Sequence, residues 1–316
     1  MTVKIEGKHD QCERLVTGLY SLDRAFINDE GELGVLVGVG YELFGSNHVG
    51  KSTFAYSLAG LIAKSGIALC DFEGFDVNFL RSVLETSGFN GTLNTLISET
   101  EDIEELTDEE YLGRMIKKLK TDEYQVGILD SIGAISPISE VEGDFGEANM
   151  GRRAIIMAQF SRKGTKLLRY YPDKTIIAIN HWYPRIGTRG YDTPGGEVKK
   201  FLLTVRILLK RKQEFPDGSY ILEGNVRKNR WGYKDKSFYV FMLAGRGLHK
   251  GLTSLWDCVL SGKASYGKGG YVKIEKENIG RLSALAKEAK QGNDEIFEPF
   301  MELLKGNENE EEGLSE

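Results

Sequence analysis

The sequence predicts an α/β protein with a mostly parallel central sheet, an antiparallel extension of that sheet, and a small α+β appendage. Apolar strand-like runs alternate with helical stretches from about residue 16 to residue 245, the pattern of a parallel sheet covered on both faces. A glycine-rich loop at residues 45–53, GSNHVGKST, lies between an apolar run and an amphipathic stretch. The later apolar runs, within 205–243, follow one another without long helices. They read as antiparallel strands joined by turns such as Pro216-Asp217-Gly218.

In chain order, residues 1–15 are polar and weakly patterned, a short N-terminal segment. Residues 35–44 are apolar and are expected as one buried strand before the glycine-rich loop. Phe54, Leu58, Leu61 and Ile62 recur at helical spacing, so Lys51 should open an amphipathic helix over 52–64. Further strands are expected at 68–72, 126–132, 175–180, 205–209, 220–226 and 238–243, and helices at 78–87, 111–120 and 151–169. These make a core domain of residues 16–246. Residues 247–304 form a small C-terminal domain, with helices near 252–260 and 278–289 and a glycine-rich stretch at 266–270. The tail, 305–316, is acidic and expected to be disordered.

The chain has 316 residues, 41% hydrophobic and 28% charged, ordinary values for a globular protein. No apolar run reaches the length of a membrane span and no secretory core opens the sequence, so a cytoplasmic location is expected. Cys12, Cys70 and Cys258, like the four histidines, are too scattered for a disulfide framework or a zinc site. The net charge is −6, which at first argues against nucleic acid. Five of the acids, however, sit in the last ten residues, leaving −1 for the rest. Basic clusters remain at Arg152–Arg153, at Arg162, Lys163, Lys166 and Arg169, at 210–212, and at Arg227, Lys228 and Arg230. Such stripes, rather than net charge, are what a phosphate backbone meets.

GSNHVGKST fits G-x-x-x-x-G-K-S/T, a phosphate-binding loop. Gly45, Ser46, Asn47, His48, Val49, Gly50, Lys51, Ser52 and Thr53 should surround a nucleotide's phosphates with backbone N–H groups and a helix N-terminus. Lys51 adds a point charge and Ser52 a hydroxyl for Mg²⁺. No individual role follows for Asn47 or His48. Asp130 ends an apolar strand, as expected of the carboxylate beside Mg²⁺. Asp71 and Glu73 end another, and Glu73 is the candidate for orienting or deprotonating water; a surface acid is the alternative. His181 ends a third strand and so reaches the same rim. The basic loop that follows, with Arg185 and Arg189, could then be ordered by nucleotide state.

With these motifs in this order, the chain resembles the RecA family of recombination ATPases over residues 16–304. The matching stretches are VTGLYSLDRAF, DSIGAISPISEVEGDFGEANMGRRA at 130–154, and INHWYPRIG followed by TPGGEVKKF. The resemblance implies a RecA-like nucleotide-binding core, ATP and Mg²⁺ as cofactors, and Glu73 as catalytic glutamate. It implies that Phe79 stacks on adenine and that His181 senses the γ-phosphate. Lys228 and Arg230 would reach across a subunit interface to a neighbour's γ-phosphate. Met150 and Ile186 would wedge between base triplets. Arg162, Gly195 and Gly196 would contact the DNA backbone, beside the basic Arg152, Arg185 and Arg189.

His181 stands where bacterial RecA has glutamine; this and the short SYILEGNVRKNR hairpin are similar to phage recombinases of the UvsX kind. The loop 182–196 is shorter than in bacterial RecA. The stretch before residue 16 is shorter than the family's N-terminal module, which implies a reduced subunit contact, such as a strand at 2–6. The implied function is an ATP-dependent recombinase that forms filaments on single-stranded DNA and exchanges strands with homologous double-stranded DNA. A single-strand-binding protein or loader is a further expected partner, and no membrane is. Two other readings are an ATP-binding recombination mediator with weak hydrolysis and a hexameric helicase motor.

Overall fold

The apolar run at 35–44 is not one strand. It divides at Gly38, where φ is +85° and a Cβ would lie 2.1 Å from the Pro172 carbonyl oxygen. Only glycine fits both the left-handed turn and that close approach. Glu13–Leu15 (β1) pairs antiparallel with Val35–Val37 (β2), and Gly40–Gly45 (β3) enters the main sheet. The computed structural model describes residues 12–95, 107–136, 151–184, 191–274 and 277–311.

The sheet continues with Gly66–Asp71 (β4), Leu93–Thr95 (β5), Tyr124–Asp130 (β6) and Thr175–His181 (β7). Tyr183–Pro184 (β8) and Tyr191–Asp192 (β9) pair with each other. Leu203–Glu214 (β10), Tyr220–Asn229 (β11), Ser237–Leu243 (β12) and Gly247–Leu248 (β13) complete a nine-stranded sheet. Its order is β13-β12-β11-β10-β3-β7-β6-β4-β5. Strands β10, β3, β7, β6, β4 and β5 run parallel, and β10 to β13 are antiparallel neighbours.

The helices are Tyr20–Arg24 (α1), Lys51–Ile62 (α2), Val77–Thr86 (α3), Asp108–Lys118 (α4), Arg152–Tyr170 (α5), Lys199–Leu202 (α6), Lys250–Leu260 (α7), Leu282–Gln291 (α8) and Glu298–Glu311 (α9). Along β7, Ile177 and Ile179 join the core that includes Phe54, Leu58 and Ile62 of α2. Ile176 and Ala178 join the opposite core, with Met115 of α4 and Met157 and Phe160 of α5. That alternation is the period-two consequence of a strand buried on both faces. Stacked helices therefore hold both sides of β3, β6 and β7, whose C-terminal ends meet at one rim.

The C-terminal unit packs Leu252, Leu255, Phe297 and Phe300 against Ile221, Phe241 and Leu243 of the antiparallel extension. Three details correct the sequence expectations. Gly247–Leu248 belongs to the main sheet rather than to the small domain. Residues 278–281 are not helical: Glu277–Arg281 (β16) pairs with Tyr271–Ile274 (β15), which also pairs with Ala264–Tyr266 (β14). Sheet pairing there overrides the helical pattern, which starts at Leu282. Finally, residues 305–311 continue α9, which is anchored by buried Phe300 and Leu304; once a helix is nucleated, each added residue gains a backbone hydrogen bond.

Asp257 on α7 ties this unit to α1: its Oδ2 accepts the Ser21 N–H at 3.2 Å. Burial pushes the Asp257 carboxyl up to about 7, against the Ser21 hydrogen bonds and with help from Asp23. A folded-state value above the unfolded one adds stability that is complete below the unfolded value and lost as pH rises through the folded value. Stability should therefore fall by about 1 kcal/mol between roughly pH 6 and roughly pH 7.5 from this group. Thermal melts across that window should show the slope reduced in Asp257→Asn; an unchanged slope would count against it.

Candidate nucleotide site and nucleic-acid face

Strand β3 delivers the glycine-rich loop to the rim, and α2 begins at Lys51. The loop bends through residues in left-handed conformations, with φ of +59° at His48 and +100° at Gly50. At Gly50 a Cβ would also lie 2.1 Å from the Tyr220 hydroxyl, so glycine is required on two counts. Lys51 is buried, and its Nζ donates to the Ser46 carbonyl at 2.9 Å. Burial lowers the Lys51 pKa, opposed by the nearby Glu73 and Asp130 charges.

The loop lines a cavity of about 560 Å³ together with Glu73, Phe79, Asp130, His181, Arg211 and Tyr220. Asp130 sits at the end of β6, 3% exposed. Its Oδ2 accepts from the Tyr56 hydroxyl at 3.0 Å, and Oδ1 is buried with no hydrogen-bond partner. Burial raises its pKa to about 6; hydrogen bonds from Ser52 and Tyr56 oppose this, and the Glu73 and Asp71 charges add to it. An orphaned carboxylate oxygen beside a serine hydroxyl is a donor set suited to a hard divalent cation. Ser52 and Asp130 thus fit Mg²⁺, and the loop's N–H groups fit phosphates.

Glu73 follows β4. Its Oε1 accepts from the Ser131 hydroxyl and lies 3.1 Å from His181 Nε2. Burial pushes its carboxyl up, but the bonds from Ser131 and His181 and the charges of His181 and Lys51 outweigh that and hold it below the usual range. It stays ionised near neutral pH. Both donors engage Oε1, so Oε2 takes no part in these two contacts.

His181 ends β7. Its Nδ1 lies 2.9 Å from the Asn47 side-chain oxygen position. The ring bridges the two side chains, with Nδ1 facing Asn47 and Nε2 facing Glu73 Oε1. Asn47 therefore joins the phosphate loop to the histidine and, through it, to Glu73.

The sequence reading thus has Lys51, Ser52, Glu73, Phe79, Asp130 and His181 in one cavity. It missed Tyr56, Ser131 and Tyr220, and gave Asn47 no individual role within the phosphate loop. Ser131 was findable, as the polar residue next to a strand-end aspartate. Tyr56 and Tyr220 carry no motif that marks them in the sequence. Lys228 and Arg230 do not line the cavity of their own chain. Lys228 Nζ donates to the carbonyls of Lys200 at 2.6 Å and Leu203 at 3.2 Å, and the Arg230 guanidinium stands 5.9 Å from the Trp231 ring centre.

On the candidate nucleic-acid face, Arg152 is exposed at the start of α5. Gly195 and Gly196 pack against the same end of that helix, where a Cβ would meet Met157 and Ala154 respectively. Arg162 lies further along α5, in a groove with Lys166 and Arg169. Met150, Arg185, Ile186 and Arg189 lie outside the described residues.

The family model for the RecA N-terminal domain matches residues 2–235. The chain belongs to the RecA family. Among curated proteins it is similar to Protein RecA of a Nitratiruptor species, 28% identical over 257 residues, covering 78% of this chain and 71% of that one. Protein RecA of Desulforapulum autotrophicum is 29% identical over 306 residues, covering 93% and 84%. A crystal structure of the RadB recombinase aligns with a TM-score of 0.51 at 20% identity, over 75% of this chain and 99% of that one; that likeness shows the fold. RecA-family membership carries a RecA-like recombination function and a nucleotide site that works with a divalent metal. No described helix is long and apolar enough to cross a membrane.

Proposed function

We propose that the protein is a DNA-dependent ATPase that assembles as a filament on single-stranded DNA and catalyses homologous pairing and strand exchange. The observation that carries this reading is the chain of contacts from Asn47 in the phosphate loop through His181 to Glu73. His181 ends the strand from which the basic 182–196 segment departs. Nucleotide phosphates at the loop would pull on the same histidine that roots this DNA-facing segment.

Lys51 and the loop amides bind the phosphates, and Ser52 and Asp130 hold Mg²⁺. The metal, when bound, screens phosphate charge. Glu73 Oε2 orients water towards the terminal phosphate, and His181 reports that phosphate to Asn180 and beyond. Phe79 packs the base. Arg230 of one subunit serves the site of the next, with Lys228 beside it. Arg152, Arg162, Gly195 and Gly196 contact DNA, and so do Met150, Arg185, Ile186 and Arg189, which lie outside the described residues. Base pairing supplies sequence specificity.

Purified protein with a non-hydrolysable ATP analogue and single-stranded DNA should form open helical filaments by electron microscopy, and with ATP should convert homologous duplex into joint molecules. Closed rings would favour a helicase motor, and filaments without joint molecules a mediator; either result refutes strand exchange. Arg230→Ala should leave nucleotide affinity near normal and cut DNA-stimulated turnover at least about 10²-fold, on the scale of a lost charge-stabilising donor. Normal turnover would remove Arg230 from the neighbour's site.

A further inference from the structure

Glu42, on β3 just ahead of the phosphate loop, is fully buried. A carboxylate in that position is costly unless it is paired and hydrogen-bonded. Its partners come from three elements. Arg206 Nε of β10 donates to Oε2. Asn180 Nδ2 of β7 donates to Oε1 at 2.8 Å. Lys199 Nζ of α6, also buried, stands 3.5 Å from Oε1. Burial pushes the Glu42 carboxyl up, and the Lys199 and Arg206 charges together with the hydrogen bonds from Arg206 and Asn180 more than offset this.

The same three donors hold the turn that carries Gly195 and Gly196. Lys199 Nζ donates to the Thr193 carbonyl at 2.7 Å, to its hydroxyl at 2.8 Å, and to the Pro194 carbonyl. Asn180 Nδ2 reaches the Pro194 carbonyl at 3.0 Å, and Arg206 Nη2 the Thr193 hydroxyl at 3.2 Å. One buried carboxylate therefore joins the strand feeding the phosphate loop, the strand ending in His181, and the turn on the nucleic-acid face.

Two features separate this cluster from ordinary core pairing. Packed apolar side chains would hold these elements together at least as stably, yet here every donor is shared between Glu42 and the 193–194 turn. Moreover, Asn180 Oδ1 is buried without a hydrogen-bond partner, which is unfavourable for a desolvated acceptor. A rotation of Asn180 that followed its neighbour His181 and found a donor would recover that cost. That rotation would give Asn180 the two arrangements that coupling requires physically.

We infer that the Glu42–Lys199–Arg206 cluster couples the phosphate side of the nucleotide pocket to the 193–202 segment, with Lys199 as the positioning residue. This rests on the proposed nucleotide-gated DNA function, but it has a readout that needs no DNA. Hydrogen exchange at the amides of 193–202 is measured with and without a non-hydrolysable ATP analogue and Mg²⁺, in wild type, Lys199→Met and Lys199→Arg. Coupling energies in proteins correspond to about 5- to 150-fold effects, so the analogue should slow exchange in wild type by about tenfold.

In Lys199→Met the slowing should drop to within about twofold, with analogue affinity unchanged within about twofold, and Lys199→Arg should restore part of it. Should Lys199→Met fold poorly, Glu42→Gln/Lys199→Met, which leaves no uncompensated carboxylate, should lose the slowing in the same way. Full slowing in the variants, or none in wild type, overturns the inference, as does an equal loss of nucleotide affinity. Single-stranded DNA affinity, compared between the analogue and ADP on the same samples, tests the proposed function separately. Absence of nucleotide-dependent DNA binding in wild type would sink that reading while leaving the exchange result to stand.

Discussion

Glu73→Gln should lower ATP turnover by about 10²- to 10⁴-fold, the usual worth of a positioned acid–base group, while nucleotide affinity stays within about threefold. The substitution keeps the shape of the side chain and one oxygen to accept from Ser131 and His181. It removes the negative charge and with it the ability of Oε2 to draw a proton from water. Because Glu73 is held below the usual carboxylate range by Ser131, His181 and Lys51 despite its partial burial, the group is ionised throughout the neutral range. Its part is then chiefly to orient and polarise the water rather than to titrate near pH 7. Single-turnover phosphate release in the presence of DNA is the direct measurement. A glutamine variant that releases phosphate at nearly the wild-type rate would exclude Glu73 from the chemistry and leave it as a holder of His181.

The central sheet was legible because its strands are apolar on both faces and helices such as α3 and α4 keep a 3.6-residue stripe, so period and length separate the two; α2, expected to be amphipathic, is instead buried nearly all round. The break within 35–44 was hidden by valines on either side of Gly38; what decides it is the approach of Pro172, which is remote in sequence. The start of α8 was misplaced for a similar reason. Residues 278–289 have a helix-forming composition, and only the pairing of β16 with β15 withdraws the first four of them. In each case a long-range contact outweighed a local preference.

The two carboxylates of the candidate site were legible for a different reason. Asp130 and Glu73 stand at the ends of apolar runs, where a charged residue has little purpose except at a rim. Contacts between elements left no such local mark. Asn47 is one polar residue within a loop of variable positions, and its meeting with His181 depends on β3 lying beside β7. Glu42, Lys199 and Arg206 are further apart still. Glu42 reads in sequence as a polar interruption of a strand and Lys199 as part of a basic run, and only folding makes them one buried cluster.

Lys51→Ala should abolish measurable turnover, a loss of at least about 10³-fold, and weaken nucleotide binding by about 10- to 100-fold, as expected when a charge-assisted contact of about 1.5–3 kcal/mol is removed from a partly desolvated site. Lys51 Nζ rests on the carbonyls of Ser46 and Gly45, neutral acceptors that phosphate oxygens outcompete. The same pocket holds Glu73 and Asp130, with Asp71 at the end of the adjoining strand. Without the ammonium group, a polyphosphate would meet these carboxylates with nothing from α2 to balance them. Lys51→Arg keeps the charge but spreads it over a planar fork that does not fit a cradle of two loop carbonyls, so it should recover affinity better than turnover. Titration with a fluorescent ATP analogue and steady-state hydrolysis separate these effects. Thermal unfolding without nucleotide should change by little, because the lysine's own contacts are two hydrogen bonds to a loop. An alanine variant that still hydrolyses ATP at a rate near wild type would show that the glycine-rich loop does not hold the reacting phosphates, and the roles given to Asp130, Glu73 and His181 would fall with it.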